Sequence, residues 1–399
     1  MEFGMTERLY YHDSDLLEFE SKVIKIDEKD GLWRIYLDST AFYPTSGGQL
    51  FDTGTLNEQA ICEVLNENGD IAHIMKTVPD FKSGQTVLGK IDPERRRDNK
   101  QKHTGQHILS RSFIETCEAV TVSAHLGEED STIDLDASGL TDEQIVMAEN
   151  LANDIIYKNR PVRMEFVSGD ELAKYPLRKI PADKKDQYRL IIIEDFDWSA
   201  CGGTHCNSTG EVGVIKITGQ EKIRGCLRFH FLTGWIALED YRWRYNQIES
   251  ISNIFTRHAR ESLDAVRGLA DEYASLKKKY NDTRRQLQPY IIEKWRSDAI
   301  ELNNCRIIVR DLSGEEIKYI KELAQAVITE PKSVFIAITE DKLLIAVSLD
   351  SLWKAGDLIK KAEAKFGGRG GGSAQMAQGG GFAPDKLKVL IEDPTIILD

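Results

Sequence analysis

The chain has 399 residues, 41% hydrophobic and 29% charged, with a formal net charge of −13. That length accommodates two to four domains of roughly 100–200 residues. The acidic balance disfavours a non-specific nucleic-acid binder, which gains affinity by neutralising phosphates, but leaves room for a structured RNA held by local basic patches.

No apolar run approaches the ~20 residues of a membrane span. The opening MEFGMTERLYYHDSD lacks the basic-then-apolar order of a signal peptide, and MEFG reads as an addition ahead of a start at Met5. Six cysteines in a chain of this length are not a disulfide framework. A cytoplasmic protein with reduced thiols and no membrane partner is expected.

Residues 1–95 read as short strands separated by turn signals at Asp30-Gly31 and Asn68-Gly69, which predicts a small β-barrel. A helix follows from Pro93, with apolar positions 108, 109 and 113 as its buried stripe. VTVSAHLG and STIDLDA read as strands. LTDEQIVMAENLANDIIYKNR reads as an amphipathic helix capped by Thr141. VRMEFVS, YRLIIIEDF and the pair in EVGVIKITGQEKIRGCLRFHFLTG are further strands, so 96–235 is predicted as an α/β domain on an antiparallel sheet.

Residues 236–300 change character. Apolar residues at 263, 266, 269, 273, 276 and 280 keep coiled-coil spacing, which predicts a long helix or hairpin over 240–288, a possible dimerisation seam, ended or kinked at Pro289. Residues 301–399 alternate strands and helices and carry the glycine-rich FGGRGGGSAQMAQGGGF. The fold class is therefore α+β: barrel, zinc-site domain, helical connector, C-terminal α/β domain.

Two constellations carry chemistry. HTGQH places His103 and His107 at i and i+4 on one helix face, a geometry that offers two nitrogens to one metal. CGGTHC follows a strand and offers Cys201 and His205, with two glycines allowing a tight loop. A redox pair would need C-x-x-C, and Cys206 reads as a small buried hydrophobe. Separated by about 100 residues, the two motifs together make a tetrahedral zinc set, one ion per chain, in a domain with its own core rather than in a finger.

HTGQHIL and CGGTH resemble the editing domain shared by alanyl- and threonyl-tRNA synthetases and the freestanding alanyl-tRNA editing proteins. AFYPTSGGQLFDTGTL resembles the glycine-rich motif of the alanyl branch, and GGRGGGSAQMAQGGG its DHH-associated C-terminal domain. There is no catalytic DHH triplet and no segment like the aminoacylation half. The match is to the long form of the freestanding protein, and the self-contained first strand in YYHDSDLLEFESKVIKID supports a complete chain.

The resemblance implies hydrolysis, in trans, of alanine tRNA mischarged with serine or glycine. It makes His103, His107, Cys201 and His205 zinc ligands, and Thr121 a hydroxyl that senses the substrate. It also implies that Gly47 and Gly48 bind the substrate or tRNA, that Gln49, Ser123 and His125 join Thr121 as catalytic candidates, and that the C-terminal domain binds the tRNA body. Thr45-Ser46 replace a pair that is commonly acidic residue and glycine, and His125 stands where glutamine is frequent. Alternation along VTVSAHLG predicts that Thr121, Ser123 and His125 share one strand face.

An aminoacyl ester is activated, so the task is to place water, hold the substrate and stabilise an oxyanion. With four protein ligands the metal activates water, anchors the substrate amine or braces the site; the expectation is that it holds the substrate. Arg95–Arg97 with Lys100 and Lys102, Lys277–Lys279, and Lys360, Lys361 and Arg369 are candidate phosphate contacts. Gly370 and Gly371 would present amides as a nest. The alternatives are a non-catalytic tRNA-binding module with structural zinc, an editing fragment of a full synthetase, and an unrelated metallohydrolase.

Overall fold

Turn chemistry sets the first sheet. In the computed structural model, which describes residues 5–181 and 185–399, strands β1 (Glu18–Lys29) and β2 (Leu32–Leu37) are joined at Asp30 (φ 56°) and Gly31 (φ 75°). Two positive φ angles in a two-residue loop suit the right-handed strand twist. Strands β3 (Gly54–Leu56), β4 (Gln59–Ile61), β5 (Glu63–Glu67), β6 (Asp70–Met75) and β7 (Thr86–Ile91) complete a seven-stranded sheet, ordered β4-β3-β7-β1-β2-β6-β5. Its outermost strands, β4 and β5, are separated only by Cys62, whose N–H donates to the Ile74 carbonyl of β6 at 2.8 Å. The sheet is thus nearly closed around Val23, Ile35, Leu56, Val64 and Ile71.

Inside it, His73 is fully buried. Its Nδ1 donates to the Ile35 carbonyl at 3.0 Å, and its Nε2 accepts from the Thr40 hydroxyl at 2.8 Å. Burial pushes the imidazole down to about 4 from an ordinary 6.5. Between those values the unfolded chain binds a proton that the folded chain refuses, so stability falls as pH drops from 6.5 towards 4. Between pH 7 and 5 the loss from this one group is about 2 kcal/mol. Denaturant titrations at both pH values should show that extra loss in the native chain and not in His73→Gln. Equal slopes in the two proteins would contradict it.

Helix α1 (Pro93–Cys117) starts at Asp92, whose carboxylate accepts from the N–H groups of Glu94 and Arg95. Beyond it lie β8 (Val120–Leu126), β9 (Ser131–Asp136) and α2 (Asp142–Tyr157), the last opened by a Thr141–Gln144 capping box. Next come β10 (Val162–Ser168), β11 (Gln187–Ile193), β12 (Asp197–Ala200), β13 (Ile215–Ile223), β14 (Cys226–Thr233) and α3 (Gly234–Phe255). The antiparallel sheet β8-β9-β14-β13 carries α1 and α2 on one face, with Ile108, Leu109 and Phe113 packed on Ile133, Leu135 and Phe229. Strands β10-β11-β12 form a separate three-stranded sheet. CGGTHC follows β12, the short strand after YRLIIIEDF, rather than that segment itself.

These elements belong to one unit, Met1–Ile254; the second is Phe255–Asp399. In the second, α4 (Ser262–Ser297) runs through Pro289 instead of ending there. Its last turns are held because Ile292 and Trp295 pack with Phe335, Leu323 and Val327. Val266, Leu269, Tyr273, Leu276, Tyr280, Leu287 and Tyr290 stand exposed along α4 at heptad spacing. Strands β15 (Ile300–Leu302), β16 (Cys305–Asp311), β17 (Ser333–Ile338), β18 (Lys342–Val347), β19 (Gly367–Gly372) and β20 (Met376–Phe382) form a six-stranded sheet in the order β15-β16-β17-β18-β20-β19. Helices α5 (Ile317–Val327) and α6 (Ala355–Phe366) belong to two cores on this sheet.

The glycine run is therefore an edge strand and not a compact nest. Cβ atoms at Gly370 and Gly372 would meet the β20 backbone at 2.6 and 2.4 Å, so glycine there lets two strands lie close. Arg369, Gly370 and Gly371 are exposed. Among the described residues, no helix is long and apolar enough to cross a membrane.

Candidate metal centre

His103 and His107 leave α1 one turn apart, and the loop after β12 brings Cys201 and His205 against them. One ligand atom from each of the four lies within 4.8 Å of every other. The Cys201 Sγ is 3.3 Å from Nε2 of His103 and 3.3 Å from Nε2 of His205. A tetrahedron with zinc bonds of about 2.0–2.3 Å has edges of about 3.4–3.6 Å, so the spacing suits one such ion.

The outward nitrogens carry the stronger argument. His103 Nδ1 donates to the Gln49 side-chain oxygen at 2.7 Å. His205 Nδ1 sits 3.2 Å from the Thr104 hydroxyl, and His107 Nδ1 lies 3.5 Å from the Asp197 carboxylate. His103 and His205 are thus held by their Nδ1, whereas His107 Nδ1 faces the Asp197 carboxylate without a hydrogen bond. For His103 and His205 that arrangement fixes the tautomer and ring plane in which Nε2 is a ligand. The group could hold a metal ion, and three nitrogens with one thiolate is a donor set that favours zinc.

Electrostatics agree. Burial raises the Cys201 thiol, but the neighbouring imidazoles of His103 and His205 bring it well below its ordinary value. Burial and the neighbouring His103 push His205 well down, towards the neutral form a ligand needs. Burial opposes ionisation of Asp197, yet Arg178, 3.8 Å away, and His107 hold its carboxyl below the usual range. Cys206 is different: it is 3% exposed, burial raises its thiol to about 12, and it packs in the apolar core.

The glycines have other reasons than expected. Neither Gly202 nor Gly203 has positive φ. A Cβ on Gly203 would lie 2.1 Å from the His103 ring, so glycine there is clearance for a ligand. In HTGQH, a Cβ on Gly105 would strike Thr233 at 2.7 Å where α1 crosses the end of β14. Gly47 (φ 56°) and Gly48 (φ 84°) form a tight turn between Ser46 and Gln49, closed by Gln49 N–H to Ser46 O at 2.9 Å. Gly48 also takes the Leu126 N–H at 2.8 Å, where any Cβ would lie 2.6 Å from the Ala124 carbonyl oxygen. The turn thus docks on β8 and delivers Gln49 to the site.

Gln49 itself is fully buried, and its amide also binds Thr204. It is a positioning residue for His103, not a group open to substrate.

The shared face of Thr121, Ser123 and His125 does not survive. Opposite β9, Thr121 pairs with Leu135 and Ser123 with Asp134, so Val122 is an extra residue. A bulge of one residue turns everything after it to the other face. Thr121 points to α1 and donates to the Ser110 hydroxyl at 2.8 Å, whereas Ser123 faces away and donates to Asp134 at 2.5 Å. His125 pairs with Thr132 on the same outer face as His230.

Within the α1 basic cluster, Arg96, Lys100 and Lys102 are corrected. Arg96 is 1% exposed in an ion pair with Asp52, Lys100 pairs with Asp15, and Lys102 donates to the carbonyls of Gly127 and Glu128. These cations bind the protein and are not presented to phosphate.

Three families match along the chain. Residues 7–95 fit the tRNA synthetases class II (A) profile, 188–229 the threonyl and alanyl tRNA synthetase second additional domain, and 305–393 the DHHA1 domain. Alanine–tRNA ligase of Pyrococcus furiosus is 30% identical over 403 residues, covering 97% of this chain and 43% of that protein. Nearly the whole chain is thus similar to part of an alanyl-tRNA synthetase. The Fervidobacterium nodosum ligase is 28% identical over 94% of this chain and 46% of its own length. The chain spans less than half of such relatives. The crystal structure of the C-Ala domain of Aquifex aeolicus alanyl-tRNA synthetase is 26% identical, covering 25% of this chain and 96% of that domain, with a TM-score of 0.23.

Sequence reasoning missed Asp197, Thr104 and Arg189. Arg189 donates to the carbonyls of Tyr11, Cys201 and Gly203 and so clamps the ligand loop. A carboxylate within the β-rich run DWSA, four residues before Cys201, was the available signal.

Proposed function

We propose that the protein is a zinc-dependent deacylase that clears serine, and also glycine, from alanine tRNA. The observation that carries this reading is the group of three buried imidazoles and one half-buried thiol, with His103 and His205 oriented by Nδ1 hydrogen bonds and His107 facing Asp197. Zinc bound by His103, His107, Cys201 and His205 would supply a Lewis acid for an ester carbonyl or an anchor for the substrate amine. Around it the chain's own groups do the rest. Gln49 and Thr104 hold two of the imidazoles, and Asp197 places a carboxylate beside the third. Thr121 is proposed to pair with the serine hydroxyl, a pairing that alanine cannot make, and such a site can reject the smaller analogue by up to ~10⁴–10⁵. Arg369, Gly370 and Gly371, exposed on an edge strand, are proposed contacts for the tRNA body.

One observation favours a second reading. His103, His107 and His205 are each at most 4% exposed. A closed set of four protein ligands is the habit of a structural zinc, which would suit a non-catalytic tRNA-binding module. The similarity fits equally a portion of a longer synthetase. A deacylation panel separates chemistry from binding: alanine tRNA charged with Ser, Gly or Ala, with and without a chelator. Hydrolysis of Ser- and Gly-tRNA, sparing of Ala-tRNA and loss with chelator are expected. Equal hydrolysis of all three contradicts editing, and stoichiometric metal without turnover selects the module.

A further inference from the structure

Two buried polar atoms at the metal group have no hydrogen-bond partner, Nδ1 of His107 and Oδ1 of Asp197. One carboxylate links them. Oδ2 of Asp197 lies 3.5 Å from His107 Nδ1 and accepts from the Ser199 hydroxyl at 2.7 Å. Oδ1 lies 3.8 Å from Nε of Arg178. Asp197 is fully buried, and among the described ion pairs its partners are His107 and Arg178 alone. An imidazole that binds a metal is neutral, so the carboxylate beside it needs a cation elsewhere to remain buried. Arg178 is the cation in place. The same guanidinium also holds the ligand residue itself: its Nη1 donates to the His107 carbonyl at 3.0 Å. The Arg178 N–H donates to the Trp198 carbonyl, also at 3.0 Å. Arg178 thus ties α1, at a donor residue, to β12, at the residue after Asp197. It comes from the residues after β10, which turn through Gly169–Lys174 and pack Leu172, Tyr175 and Leu177 against Val167, Tyr188 and Leu190. That small apolar cluster is separate from the core beneath α1, so the guanidinium has a support of its own.

We propose that Arg178 is a positioning residue for the metal group. Its charge compensates the Asp197 carboxylate and keeps it beside His107, and its bond to the His107 carbonyl steadies the backbone that carries this donor. The separations of 3.5 and 3.8 Å lie just beyond hydrogen-bond range. Charge rather than a directed bond therefore links Arg178, Asp197 and His107. Without the guanidinium the carboxylate is an unpaired buried charge, and it turns away from His107 towards any donor or solvent within reach. His107 then loses the group that faces its Nδ1. A side chain at 178 needs the positive sign more than the planar shape, so lysine should serve and a neutral residue should not.

The proposal rests on the reading of the four donors as a metal site, not on deacylation, and its test needs no activity. The full chain loaded with cobalt(II) is titrated with a chelator, and visible absorption reports both affinity and ligand geometry. Arg178→Met should release the ion about tenfold more readily, at the lower end of the range for a lost outer partner, with an altered spectrum. Arg178→Gln can still donate to the His107 carbonyl but carries no charge, so it should behave like Arg178→Met, and it serves in its place if thermal unfolding shows that variant unfolded. Arg178→Lys should recover most of the loss. Asp197→Asn should weaken the ion by a similar factor. Combined with either neutral change at 178 it should lose little more than one change alone, because the two residues act as a unit. A merely structural arginine gives the reverse: losses that add, and lysine no better than glutamine. That pattern, or native cobalt affinity and spectrum in the neutral variants, overturns the proposal. A native chain that takes up no cobalt sinks the metal site and the proposal together, whereas the expected pattern in a protein that deacylates no tRNA sinks the deacylase and leaves the role of Arg178 standing.

Discussion

Cys201→Ala should yield a protein that retains little metal, no longer deacylates Ser-tRNA and still binds tRNA. The thiolate is the one anionic member of the group, and it is held between two imidazoles at 3.3 Å. Its removal leaves three buried histidines that must share a divalent ion without charge compensation. Loss of an orienting partner alone typically costs about 10–100-fold in metal affinity or activity, so loss of a ligand should exceed about 100-fold. Gln49→Leu provides the graded comparison: the His103 ring loses its acceptor but the four donors remain, and the deficit should fall within that 10–100-fold range. Because metal binding and folding are coupled, Cys201→Ala should also melt lower than the native protein. Metal content by mass spectrometry, deacylation and tRNA binding are the three readouts. Full metal content with normal turnover in Cys201→Ala, or normal turnover in a metal-depleted native sample, would sink both the ligand set and the zinc-dependent mechanism.

The four donors were legible because each half of the group is local. An i, i+4 pair on a helix and a cysteine four residues before a histidine in a loop can be read without knowing the fold. Asp30-Gly31 and the Thr141 cap were legible for the same reason. What the sequence hides depends on pairing across distance. The bulge at Val122 exists only because β8 must register against β9, and it separates Thr121 from Ser123 and His125 although plain alternation unites them. The basic residues of α1 were misread because that helix is buried around most of its surface, its polar side chains turned to backbone carbonyls and carboxylates of other segments. A charged residue is normally a sign of solvent; here Arg96, Lys100 and Lys102 are structural. Of the two outcomes expected at Pro289, an end to the helix does not occur, since apolar packing beyond it keeps α4 helical. Asp197 and Thr104 could not be named because an orienting partner is defined by where a ring nitrogen points, and only the assembled site shows that.

Arg96→Ala should be among the most destabilising single changes in the first unit, by about 3–5 kcal/mol. The Arg96 Nε and Nη2 reach the Asp52 carboxylate at 3.2 and 2.6 Å, Nη2 also binds the Ala41 carbonyl at 2.5 Å, and Nη1 binds the Ser14 carbonyl at 2.8 Å. Asp52 is fully buried and takes the Tyr43 N–H at 2.7 Å. Removing the guanidinium therefore leaves a buried carboxylate with one donor and two carbonyls with none. Most of the cost lies in that stranded charge rather than in the attraction lost, so Arg96→Met combined with Asp52→Leu should lose less than the sum of the two single changes. The pair joins α1, two turns before His103, to the segment 41–52 that carries Gln49. A loosened pair should thus show in the site as well as in the fold: metal affinity should drop in Arg96→Ala even at temperatures where the protein remains folded. Urea unfolding followed with metal titration tests both halves. A loss below about 1 kcal/mol would place the pair with ordinary surface ion pairs, and unchanged metal affinity would show that the barrel's hold on Gln49 does not pass through Arg96.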